Sequence, residues 1–124
     1  MPQTDADRRQ FRRAPLDVLA NRFLDGYPYL CRTTDISSEG LRLHRFNEPT
    51  AKAPVRFVGL QFQLPGSPEI LTASGEVVFS DEGTRAVGLR FTYLSAATAA
   101  AIDGFVHGVP TKARPPAWSI SLEP

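Results

Sequence analysis

"VGLRFTYLSAATAAAIDGFV", residues 87–106, decides how the chain folds. Its first half alternates: Val87, Leu89 and Phe91 fall on one side of an extended chain, with Gly88, Arg90 and Thr92 on the other. A period of two marks a strand with one buried face. At Ser95 the period changes. Thr98, Ile102, Phe105 and Val106 share one face of a helix over 96–108. Ser95 supplies the N-cap and Gly108 the stop. The stretch therefore reads as a closing strand, 84–94, followed by a single helix.

Working back from it, five more segments read as strands, at about 15–24, 29–36, 41–46, 55–64 and 70–80. In the first, Leu16, Val18 and Ala20 alternate with Asp17, Leu19 and Asn21. Asp25-Gly26 between apolar runs is a hairpin signal. Polar or Pro/Gly-punctuated segments at 35–40, 47–54, 65–69 and 81–83 read as turns and loops. Phe57, Phe62 and Leu64 are available to the core. Short connections imply antiparallel neighbours, and six short strands with period-2 patterning favour a closed or nearly closed barrel. The helix is expected to cover one open end, burying Ile102 and Phe105. The division expected is a mobile N-terminus over 1–7, one domain over 8–108, and a Pro-rich tail over 109–124 that carries Trp118.

With 124 residues, 42% apolar and 22% charged, the chain can bury one modest core. No window approaches the roughly 18 apolar residues of a membrane span, and "MPQTDADRRQ" lacks the apolar core of a secretory leader. Cys31 is the single cysteine, so no internal disulfide or multi-cysteine metal site is expected. These features suggest the cytoplasm, with no membrane insertion. A formal net charge of +1 argues against duplex DNA. Most of the eight Phe alternate into the core pattern, leaving few for the stacking platform that single-stranded DNA or RNA needs. Cys31, His44 and His107 are the strong nucleophile or base candidates, and nothing places them together. An enzyme is not expected, nor a bound metal or cofactor.

Two features remain. "DRRQFRR" (7–13) places Arg8, Arg9, Arg12 and Arg13 in seven positions. An arginine fork grips phosphate or the O6/N7 edge of guanine bidentately, and it stacks on a base. "DISSEG" (35–40) offers the Asp35 carboxylate to a guanine N1–H/N2–H₂ edge, the Ser37 hydroxyl to a base or phosphate, and Gly40 for a positive φ or a close backbone approach. Alone, the first is an ordinary solvated basic arm and the second an ordinary polar turn.

Together they are more specific. Arg-x-x-x-Arg ahead of the first strand, then Asp-x-Ser-x-x-Gly about 22 residues later, then the strand-to-helix ending of 87–106, resembles the PilZ domain family over about 7–107. The resemblance implies a six-stranded antiparallel β-barrel of the split-barrel type, capped by a C-terminal helix. It also implies a non-enzymatic receptor for the bacterial second messenger cyclic di-GMP. Carried over by position, Arg9 and Arg13 match the arginine motif, Arg8-x-x-x-Arg12 being a second register. Asp35, Ser37 and Gly40 match the turn motif, and Gly88 matches a glycine beside the bound base. Arg8 stands where the family stacks an arginine on an intercalated ligand dimer. The implied output is control of motility, pili, biofilm or exopolysaccharide through an effector protein, by a monomer or weak dimer. The alternative is a PilZ-fold interaction adaptor that needs no nucleotide.

Overall fold

The computed structural model describes residues 12–46 and 55–108. The expected mobile N-terminus, Arg8 and Arg9, the loop at 47–54 and the tail with Trp118 lie outside them. Seven strands and one helix are present among the described residues: β1 (Arg13–Pro15), β2 (Leu19–Leu24), β3 (Tyr27–Ser37), β4 (Gly40–Arg45), β5 (Phe57–Gln63), β6 (Ile70–Ser80), β7 (Ala86–Leu94) and α1 (Ala96–Gly108). Six of the strands form a ring in the order β3-β2-β5-β6-β7-β4, closed by pairing of β4 with β3. All pairings are antiparallel. The expected six-stranded barrel with a closing helix is therefore present, with β1 as a short extra strand on β3.

The single strand expected at about 15–24 is interrupted: β2 fills its second half, and β1 lies mostly ahead of it, reaching it only at Pro15. Their partners on β3 shift by one residue between Pro15↔Asp35 and Leu19↔Arg32, so 16–18 is a bulge. Thr33 fills it. Its hydroxyl accepts from the Val18 N–H at 2.9 Å and lies 2.7 Å from the Leu16 carbonyl and 3.1 Å from that of Val18. Leu16 and Ala20, on either side of the bulge, are both buried as the alternation requires. The β2–β3 turn is two residues long, with Asp25 at φ 51° and Gly26 at φ 83°. That is the left-handed pair a tight hairpin needs.

Inside the barrel sit Leu16, Ile36, Leu41, Leu43, Leu60 and Phe62, with Ile102 from the helix. Full burial of such a side chain is worth roughly 1.5–3 kcal/mol. The helix packs on β1, β3, β6 and β7. Its face is the predicted one: Thr98, Ile102 and Val106 are buried, and Phe105 packs against the core. Ser95 caps it, its hydroxyl accepting from the Thr98 N–H at 3.1 Å. Phe57 is a correction. It is 60% exposed, because in β5 the inward positions are Val58, Leu60 and Phe62. Phe57 has the opposite parity and lies outside, under the Arg56 guanidinium at 5.1 Å.

Candidate functional site

Barrel closure turns sequence-distant residues into transverse rows on the outer surface. One row runs Pro15–Asp35–Arg42–Gly88–Phe79 across β1, β3, β4, β7 and β6. The next pairs Arg13 with Ser37 across β1 and β3, and Gly40 with Arg90 and Glu76 across β4, β7 and β6. Five of the six expected site residues that the structure describes, Arg13, Asp35, Ser37, Gly40 and Gly88, thus lie on two adjacent rows.

Asp35 and Ser37 belong to β3, not to a turn; only Ser38 and Glu39 form the bend. Arg13 reaches Asp35 from β1. Its Nε donates to Asp35 Oδ1 at 2.6 Å, and Nη2 lies 2.5 Å from the same oxygen. Nη1 stands 3.5 Å from Ser37 Oγ. Ala14 between them is buried, which anchors β1 and aims Arg13 outward. Arg12 is exposed, so of the two arginine registers it is Arg13 that meets Asp35. The pair is part-exposed, with Arg13 36% and Asp35 25% accessible, so a ligand can reach both.

Ser37 is fully buried. Its oxygen accepts from the Glu39 N–H at 3.1 Å and the Gly40 N–H at 3.2 Å, which closes the bend. Of the two reasons offered for Gly40, a positive φ or a close backbone approach, the first does not apply, since its φ is not positive. Its requirement is space, since a Cβ there would stand 2.0 Å from the Leu89 carbonyl oxygen. Gly88 also lacks room. A Cβ there would be 3.2 Å from the Phe79 ring, which covers it and is itself 49% exposed. Along the row from Asp35 to Phe79 the intervening side chain is that of Arg42, with Gly88 lying under the Phe79 ring.

The remaining charges on this face are largely paired. Arg32 donates to Asp17 from Nε at 2.6 Å and holds that carboxyl below its usual range. Glu76 takes Arg56 at 2.9 Å and also Arg90, and these two arginines, Arg56 first, depress its carboxyl. Among the described residues Arg42 makes no side-chain hydrogen bond or ion pair.

Sequence reasoning missed Arg42 and Phe79. Arg42 was legible only as an outward residue in "LRLHRF". Phe79 reaches Gly88 through a bulge between Val77 and Phe79 that no residue pattern announces. The enzyme candidates do not converge. Cys31 is wholly buried, its thiol donating to the Ala20 carbonyl at 3.4 Å, while His44 is on the outer face and His107 on the helix. Among the described residues no group of three or more His, Cys, Asp or Glu is placed to hold a metal, and no helix is long and apolar enough to cross a membrane.

The fold is a closed six-stranded antiparallel barrel with one C-terminal helix, and its outer wall carries an arginine–aspartate pair. The PilZ domain family model matches residues 7–108, and the chain belongs to that family. Several solved structures share the fold. The Bacillus subtilis inhibitor of motility MotI/DgrA superposes with a TM-score of 0.67 at 13% identity, over 86% of this chain and 53% of its own. This chain thus spans about half of that protein. The PilZ domain of Escherichia coli YcgR, solved with c-di-GMP, gives a TM-score of 0.62 at 13% identity, over 86% of this chain and 95% of its own. No curated protein matches the sequence.

Proposed function

We propose that this PilZ domain is a receptor for cyclic di-GMP, bound on the outer wall of the barrel, with no reaction of its own. The observation that carries the reading is the Arg13–Asp35 pair beside a glycine-floored surface. The ligand offers two phosphates and two guanines. A carboxylate matches the guanine N1–H/N2–H₂ edge, and guanidinium forks match phosphate and the guanine O6/N7 edge. Arg13, which meets Asp35, is taken with Arg9 as its register partner in the sequence, with Arg8 to stack on a guanine and Arg12 in the second register. Ser37 and Gly40 act by shaping the corner that presents Asp35, and Gly88 keeps the floor flat for a base. Three or four charge-assisted contacts of roughly 1.5–3 kcal/mol each, together with stacking on the bases and against the cost of association, are compatible with a net near −8 kcal/mol, about micromolar.

Isothermal titration tests this. Binding of cyclic di-GMP at micromolar concentration is expected, with Arg13→Ala and Asp35→Ala each losing at least about 1.5 kcal/mol. No heat at high micromolar ligand would sink the reading. Unchanged affinity in both variants would sink the residue assignment alone. The bound state would then act on an effector controlling motility or surface behaviour, in the cytoplasm. The nucleotide-independent adaptor keeps one observation in its favour: Leu19, Leu30, Phe57, Ile70 and Tyr93 are all exposed. A partner retained equally with and without cyclic di-GMP would support it.

A further inference from the structure

Arg42 is the one arginine on the outer faces of β3, β4 and β7 that lacks an acidic partner among the described residues. Its surroundings are unusual for a surface cation. Directly across β3 is Asp35, the neighbour with which a cross-strand ion pair would be expected. That carboxylate is already held by Arg13. Directly across β7 is Gly88, and two residues back on its own strand is Gly40, so neither neighbour offers a side chain. The nearby carboxylates are committed as well, Asp17 to Arg32 and Glu76 to Arg56 and Arg90. Thr34 touches Arg42 only at its backbone, donating to the carbonyl at 3.2 Å. A guanidinium is therefore left without an acidic partner, between Asp35 on one side and, on the other, Gly88 under the half-exposed Phe79 ring.

We infer that Arg42 is a further ligand-binding residue, and that its guanidinium grips a phosphate of the bound cyclic dinucleotide. The inference rests on the cyclic di-GMP reading above. Arg42 is carried by a paired strand, so its backbone is already in place when ligand arrives. A planar fork also discriminates: lysine at this site keeps the charge but loses the bidentate geometry.

The test is titration of cyclic di-GMP into the wild-type protein and three variants, Arg42→Ala, Arg42→Lys and Arg32→Ala, each first checked for an unchanged melting temperature. Arg42→Ala is expected to weaken binding about tenfold or more, the loss typical of a charge-assisted contact. Arg42→Lys should fall between it and the wild type. Arg32→Ala removes an equal charge from the same face, but one tied to Asp17, and should leave affinity within about twofold. Wild-type binding with no loss in Arg42→Ala would overturn the inference and spare the receptor reading. Equal losses in Arg42→Ala and Arg32→Ala would overturn it too, by showing that only overall charge matters. Absence of wild-type binding would overturn both.

Discussion

Asp35, Ser37 and Gly40 divide one short motif between two tasks. Asp35 alone presents its side chain to solvent; Ser37 is buried in the bend and Gly40 lies against the Leu89 carbonyl. Substitutions should therefore separate by task. Gly40→Ala forces a Cβ into backbone and is expected to destabilise the fold by about 1–3 kcal/mol or more. Asp35→Asn breaks a part-exposed pair and should cost no more than about 1 kcal/mol. Urea denaturation of both checks this, and equal stabilities would contradict it. This division was not legible in the sequence. Asp, Ser and Gly look the same whether they hold a ligand or a corner, and only the 2.0 Å approach to Leu89 separates the two roles for Gly40. Phe57 was misread for a related reason. Hydrophobicity suggested the core, but parity with Val58 and Leu60 put it outside.

Among the elements, the strands and helix with strong periodicity were readable, and their interruptions were not. The alternation of Leu16, Val18 and Ala20 runs unbroken through the bulge that separates β1 from β2, because the extra residue changes the pairing and not the pattern. Thr33 is what holds that break. It is buried, and its one hydroxyl serves the Val18 N–H and two carbonyls. Thr33→Val keeps the shape and removes the hydroxyl from the Val18 N–H and the Leu16 carbonyl, while the Val18 carbonyl keeps the Thr33 N–H, so a loss of about 1–3 kcal/mol is expected. Since β1 aims Arg13, the same variant should weaken cyclic di-GMP binding. Unchanged stability in thermal melts would show that the bulge needs no such support.

For the whole molecule, several carboxylates share one electrostatic habit. Asp17, Glu76 and Asp81 are each held below their usual range, chiefly by hydrogen bonds from Arg32, Arg56 and Thr84 respectively. A folded value below the unfolded one adds stability above the unfolded value, and that stability is lost as pH falls through the depressed folded value. The protein should therefore become less stable on acidification below the ordinary carboxylate range. Glu76 joins β6 to Arg56, just before β5, and to β7, so Glu76→Gln should lower the melting temperature at neutral pH. The difference should shrink at low pH, where the wild-type carboxylate is protonated too; a constant gap across pH would refute the assignment.

Ring closure also bears on solubility. A strand with an unpaired side is a template for association with other chains. Among the described residues the six barrel strands pair on both sides, and β1 has β3 alone beside it. Its other side is three residues long and ends at Pro15, which has no N–H to offer an incoming strand. The barrel can thus carry Arg13 on an added edge strand without giving aggregates a long template there.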